Sequence, residues 1–196
     1  MASRDHKVRS RPSTIREYSF WRERSPLRSV LHDEVLPAKA DVVIVGAGYS
    51  GLSVALHLAR AGRDVVVLEK DRPGEHASTL NFGACGRTIR HKFTQVAGDY
   101  GLETAIRIFR EAKAWLDYTV EFIEREQIDC GFTRAGRVYG AHTPEAYTAM
   151  AKDLEYQQRH MPVDSVMIPR EEQKNEVSSD DFFGVQLLND VGHLAP

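Results

Sequence analysis

Residues 41–69 read DVVIVGAGYSGLSVALHLARAGRDVVVLE, and this stretch decides the fold. Residues 41–45 form a short β-branched run suited to a strand buried on both faces. Gly46, Gly48 and Gly51 follow at once in GxGxxG spacing, each with a separate physical task. Gly46 permits the tight turn out of the strand, Gly48 lets a pyrophosphate approach the backbone, and Gly51 lets the next helix lie against the sheet. The spacing predicts a helix over 50–61 that turns Leu52, Ala55, Leu56 and Ala59 toward the sheet. Its N-terminus offers N–H groups and a partial positive charge to phosphates, and Gly62 ends it. Residues 64–68 give a second parallel strand closed by Glu69, whose carboxylate suits ribose hydroxyls and would repel a 2′-phosphate, arguing against NADP. Strand, glycines, helix, cap, strand and acid in that order make a dinucleotide site. Its candidate contacts are Gly46, Ala47, Gly48, Tyr49, Ser50, Gly51, Glu69 and Lys70.

The rest of the composition narrows the class. A chain of 196 residues holds one good core and the beginning of a second. Its net charge of -2 gives no general affinity for nucleic acid or anionic membrane. Cys85 and Cys130 form neither a disulfide framework nor a CxxC motif, which predicts a reducing, cytoplasmic compartment. The histidines are scattered without HExxH or a Cys/His cluster, so no metal site is expected. No apolar run reaches the roughly 20 residues of a membrane helix. Residues 1–28 are rich in Arg and Ser and read as a surface arm; Asp5, Glu17 and Glu23 argue against a transit peptide. Within the arm, Tyr18, Phe20 and Trp21 are expected to anchor it to the body of the protein.

The dinucleotide fingerprint alone leaves FAD and NAD both open. Residues 70–90, KDRPGEHASTLNFGACGRTIR, separate them. Together with residues 41–69 they resemble the N-terminus of the D-amino-acid oxidase-like FAD-dependent oxidoreductases, a group that includes glycine and sarcosine oxidases and the gamma-glutamylputrescine oxidase type. Members follow the acid with basic residues and then a segment resembling GASGRNGG that crosses the flavin. Here Ala77, Ser78, Asn81 and Gly83 match that segment, while Thr79, Leu80 and Phe82 depart from it. The resemblance implies FAD as cofactor and adds Ser78 and Asn81 to its contacts. It further implies oxidation of a C–N bond in a small-molecule amine or amino acid, with hydride passing to the flavin, and nominates no catalytic side chain. Arg87, Arg90 and His91 follow the crossing segment and are placed to meet a substrate carboxylate, or else form a solvated basic stretch. Cys85 reads as a small buried thiol rather than a covalent flavin link.

Downstream, Leu102, Ala105, Phe109, Ala112, Leu116, Val120 and Ile123 recur at three- and four-residue steps and predict one long helix over 98–128, with Trp115 and Tyr118 as packing residues. Residues 130–132 and 137–139 read as a hairpin around Gly136, and a helix is expected from Pro144 to about His160. The resulting fold class is α/β: a Rossmann-like FAD-binding domain with the start of a mixed α+β substrate domain, incomplete. The expected domains are an arm over 1–38, an FAD-binding portion over 39–140 and the beginning of a substrate domain over 141–196. Family members are about twice as long and complete the FAD site with a second glycine-rich segment. The chain is therefore expected to be an N-terminal portion whose partners are a missing C-terminal half or further copies of itself. Two rivals remain at this stage: an NAD-dependent dehydrogenase, and a non-catalytic remnant that binds FAD weakly or not at all.

Overall fold

The computed structural model describes residues 19–24 and 35–195. They belong to two compact units, residues 1–81 and residues 82–196. Tyr18 and most of the arm fall outside the described residues.

In the first unit a short helix, α1 (Phe20–Arg24), precedes strand β1 (Val42–Val45), helix α2 (Tyr49–Arg60) and strand β2 (Val65–Leu68). The strands pair in parallel, Val42 opposite Val65 through Val45 opposite Leu68, with α2 as the crossover. Arg63 N–H donates to Leu58 O and Gly62 N–H to Ala59 O, both at 3.0 Å, so α2 closes in the Schellman arrangement that Gly62 predicts. Two expectations need correction. Strand β1 is not covered on both faces: Val42 and Ile44 are half-buried, but Val43 is 55% and Val45 86% exposed. Helix α2 meets the sheet through Gly51, Ala55, Leu56 and Leu58, whereas Leu52 and Ala59 are exposed. The close contact is made at Gly51, and the positions four and seven residues later share its face.

The second unit contains β3 (Ala84–Gly86), α3 (Phe93–Tyr100), α4 (Leu102–Arg125), β4 (Arg137–Gly140), α5 (Pro144–His160), β5 (Ser165–Ile168), β6 (Val185–Leu188) and β7 (Val191–His193). Strands β4, β6 and β5 form an antiparallel sheet in that order, while β3 pairs antiparallel with β7. Phe93, Val96, Ala105 and Met161 form the buried centre, with Leu102, Phe109 and Tyr156 packed around it. Phe93 meets Phe109 edge to face at 5.1 Å.

The expected single helix over 98–128 is two helices. Gly101, at φ +86°, separates α3 from α4, and the apolar period begins earlier than Gly98, with Phe93, Val96 and Ala97. The predicted stripe on α4 does face inward: Ala105, Leu116 and Val120 are buried. Trp115 does not join it. At 62% exposure it meets Tyr118 edge to face at 6.0 Å, and Tyr118 stacks on Phe122 at 6.2 Å. These rings pack along the helix surface rather than into the core.

The expected hairpin over 130–139 is also absent. Strand β4 pairs with β6, and residues 130–136 are laced to the end of the chain instead. Thr133 and His193 exchange N–H···O bonds of 2.9 and 3.0 Å, Gly136 N–H donates to Val191 O at 3.1 Å and Ala195 N–H to Cys130 O at 2.7 Å. Helix α5 has the predicted limits: Pro144 stands in its first turn, and Thr143 Oγ1 accepts from Ala146 N–H at 3.1 Å.

One acidic side chain ties several of these elements together. Asp190, between β6 and β7, lies 3.0 Å from Arg134, 3.4 Å from Lys113 of α4 and 3.8 Å from Arg87 Nε. Arg87 is only 7% exposed, and its Nε has no hydrogen-bond partner. Burial pushes the Arg87 guanidinium down from its ordinary value, and Asp190 is the foremost opposing influence. Asp190→Asn should therefore lower the stability of this unit by about 3 kcal/mol, read as a fall in the urea midpoint. Adding Arg87→Met should recover much of that loss, because the uncompensated buried charge is then gone. An unchanged midpoint in Asp190→Asn would show that the guanidinium draws its compensation from elsewhere.

Candidate functional site

The candidate site grows out of the end of β1. Gly46 adopts φ +102°, a region costly for any residue with a Cβ, and its N–H extends the β1–β2 ladder by donating to Leu68 O at 2.7 Å. Ala47 is buried, and Leu52 N–H donates to Gly48 O at 2.9 Å as α2 begins. A Cβ on Gly51 would fall 2.0 Å from Gly46 O and 3.3 Å from Ile44 Cγ2, so only glycine lets the helix sit this close to the turn. The N-cap residue, Gly48, has no side chain with which to cap α2, and the first turn of the helix contains no acidic residue, so neither opposes an anion at the helix N-terminus.

Two side chains converge on this turn from later in the chain. Glu69 Oε2 accepts from Ala47 N–H at 2.7 Å, while Oε1 accepts from Lys70 N–H at 2.9 Å and Asp71 N–H at 3.3 Å. The carboxylate thus bridges the ends of β1 and β2. The Ala47 N–H foremost, followed by the Asp71 N–H, holds its pKa below the ordinary carboxylate range. Ser78 Oγ accepts from Tyr49 N–H at 3.2 Å and would lie 3.0 Å from a Cβ on Gly48. The bare Gly48 therefore leaves space beneath the Ser78 hydroxyl.

Other nominated residues turn elsewhere. Asn81 donates through Nδ2 to Ser78 O at 2.8 Å and Ala77 O at 3.2 Å, bracing its own loop. Lys70 Nζ lies 3.5 Å from Asp71, and Ser50 is exposed at the start of α2. Arg87 is buried beside Asp190, so the carboxylate it faces belongs to its own chain; Arg90 and His91 are exposed. Cys85 is a half-buried free thiol whose pKa is raised, first by burial, which makes it less nucleophilic at neutral pH.

Sequence reading missed two features here. His76 Nε2 lies 2.7 Å from Asp71 Oδ2, and ligand atoms of Glu69, Asp71 and His76 come within 4.8 Å of one another. The N–H donors on Glu69 and the His76–Asp71 contact account for this grouping without a metal. The second is that Trp21 Nε1 donates to Asn81 O at 3.1 Å. The sequence predicts that the arm is anchored, but nothing in it names a partner sixty positions away.

Comparison with known proteins places this geometry. Residues 41–196 match the family of FAD dependent oxidoreductases designated DAO. The chain belongs to that family. It is 34% identical over 156 residues to the gamma-glutamylputrescine oxidoreductase of Escherichia coli strain K12, an alignment covering 80% of this chain and 36% of that protein. In fold it is similar to glycine oxidase from Bacillus cereus ATCC 14579, with TM-score 0.59 and 24% identity over 80% of this chain and 40% of that one. It is also similar to the L-amino acid deaminase of Proteus myxofaciens, with TM-score 0.65 and 20% identity over 88% of this chain and 37% of that one. The fold is thus the Rossmann-like α/β fold of FAD-dependent oxidases, and the chain spans about two fifths or less of each relative's length. The glycine turn, a helix start free of acidic residues and the Glu69 carboxylate fit the ADP half of FAD.

The Glu69 tether has a defined pH dependence. Its folded pKa is depressed, so its contribution is present above the ordinary Glu value and is lost as pH falls through the lower folded value. The Ala47 amide resonance should titrate with a midpoint below the ordinary Glu range, and Glu69→Gln should abolish the transition. A midpoint at or above that range would mean that the Ala47 N–H bond does not favour the ionised carboxylate.

Proposed function

We propose that this chain is the cofactor-binding portion of a flavoenzyme that oxidises the C–N bond of a small-molecule amine or amino acid. The observation that carries this reading is the convergence of the α2 N-terminus, Ser78 Oγ and the Glu69 carboxylate on one glycine turn. In this reading Gly46, Ala47, Gly48, Tyr49, Ser50 and Gly51 line the pyrophosphate of FAD. Their backbone and the helix terminus meet its charge without a side-chain cation. Glu69 accepts from the ribose hydroxyls with lone pairs left over from its backbone bonds, and Lys70 flanks it. Ser78 and Asn81 belong to the segment that passes the cofactor.

FAD, when bound, would supply the redox chemistry, taking hydride from the donor carbon and passing the electrons to oxygen or another acceptor, with the imine product left to hydrolyse in water. Binding and orientation are the tasks of the residues named above, and none of them is assigned as an acid or base. We propose residues 39–140 as the FAD-binding portion, 141–196 as the beginning of the substrate domain and 1–38 as the arm. Exposed Val43 and Val45 give a physical reason for the remaining part of such an enzyme, or a second copy of this chain, to cover β1. No nucleic-acid partner is proposed.

The first experiment is an absorption spectrum of the purified chain, with any released chromophore identified by mass. A flavin spectrum yielding FAD is the expected outcome. Gly48→Val should abolish FAD retention, because its side chain would occupy the space beneath Ser78. Glu69→Ala should raise the dissociation constant by roughly 10- to 100-fold, the worth of a charge-assisted pair of hydrogen bonds. A folded, colourless chain that does not take up added FAD would instead favour a remnant without cofactor. Retention unaltered by both substitutions would remove the nucleotide site from this turn.

A further inference from the structure

We propose that Trp21, in the arm, is a positioning residue for the cofactor site: it sets the Ser78 hydroxyl against the pyrophosphate turn through Asn81. This rests on the FAD reading above. Its basis is a continuous run of hydrogen bonds within the first unit. The Trp21 indole N–H donates to the Asn81 carbonyl at 3.1 Å. The Asn81 amide donates to the Ser78 carbonyl at 2.8 Å and to the Ala77 carbonyl at 3.2 Å. Ser78 Oγ then accepts from Tyr49 N–H at 3.2 Å, at the first residue of α2. Each link constrains the next, so fixing the Asn81 carbonyl narrows the positions open to the Ser78 hydroxyl.

The arm is built to deliver that donor. Trp21 lies in α1, where Glu23 N–H donates to Ser19 O at 3.2 Å, and its ring meets Phe20 edge to face at 5.0 Å. Phe20 is exposed, while Trp21 is half-buried, so the indole rather than the phenyl ring is the docked member of the pair. The recipient segment contains no regular strand or helix and is held by local bonds to which Trp21 adds a distant one: Thr79 and Leu80 N–H groups both donate back to His76 O, at 3.0 and 3.2 Å. The family match begins at residue 41, so Trp21 lies outside the matched region.

The test uses the full chain and two independent readouts: the FAD dissociation constant, and hydrogen exchange at the amides of Tyr49 and residues 77–81 without FAD. Trp21→Phe keeps an aromatic ring and removes the N–H donor. It should weaken FAD binding by about 2- to 10-fold, the worth of one hydrogen bond, and speed exchange at those amides. Ser78→Ala should weaken binding as well, and the double variant should be no weaker than Ser78→Ala alone, since both act through one hydroxyl. A merely structural loss would add to the Ser78 effect. Trp115→Phe replaces the only other tryptophan, in the second unit, and should leave the affinity unchanged. Unchanged affinity in Trp21→Phe, or additive losses in the double variant, would overturn the proposal. If the parent chain takes up no FAD, the functional reading fails by itself. Exchange then decides for Trp21: faster exchange at Tyr49 sustains the tether, and unchanged exchange removes it.

Discussion

The approach of α2 to the turn after β1 is the constraint on which the rest of the first unit depends. A Cβ on Gly51 would stand 2.0 Å from Gly46 O, so this contact exists only because the residue has no side chain. Once it is made, the helix axis is fixed relative to β1, and the first N–H of α2, on Tyr49, is set against Ser78 Oγ. Ala55 and Leu58 fall on the contact face, and Leu52 is rotated away from it. The Glu69 carboxylate then joins the far end of β2 to Ala47, so turn and strand ends are held by backbone donors to one anion. This is a local solution that needs little core, and α2 accordingly contains no fully buried residue.

The second unit solves its electrostatics differently. Its principal ion cluster runs from the interior to the surface: Asp190 stands near buried Arg87 and near the partly exposed Lys113 and Arg134. Those cations come from the residue after β3, from α4 and from the loop before β4, so one carboxylate reports on the packing of three elements. Arg87 illustrates how a basic residue next to a candidate substrate region is absorbed by structure. Its guanidinium is buried and faces an internal acid, which leaves it poorly placed as a free anchor for an external carboxylate.

Where physical rules act over a few residues, the sequence was legible. The strand–turn–helix–strand unit, the end of α2 at Gly62 and the start of α5 at Pro144 each follow from neighbours within one or two turns. Where the deciding partner is distant, it was not. Residues 130–136 look like half of a hairpin because Gly136 marks a turn, yet their hydrogen bonds go to residues 191–195. The break at Gly101 was hidden because the apolar period of α3 and that of α4 run on through it, and the change of direction lies in a single φ angle. Trp115 shows a related limit: period places it next to the buried stripe, and only the packed structure shows the ring meeting Tyr118 on the helix surface. The candidate site divides in the same way, with the glycines and Glu69 legible in one short stretch and the Trp21–Asn81–Ser78 path hidden across the unit.

The mismatch on β1 bears directly on the functional reading. A β-branched run suits a strand covered on both faces, but here Val43 and Val45 lie open on one side of a two-stranded parallel sheet. Parallel pairs are rarely stable without cover, because each face presents apolar side chains and each edge presents unpaired backbone groups. Sequence and local structure therefore agree on the strand and disagree on its surroundings. That disagreement is resolved if further structure lies over β1, as the proposed enzyme requires. The dinucleotide turn is held otherwise, by the Glu69 and Ser78 side chains and the close approach of Gly51 to Gly46. In the proposed enzyme, capture of the ADP half would rest on this turn, whereas catalysis would also need whatever covers β1.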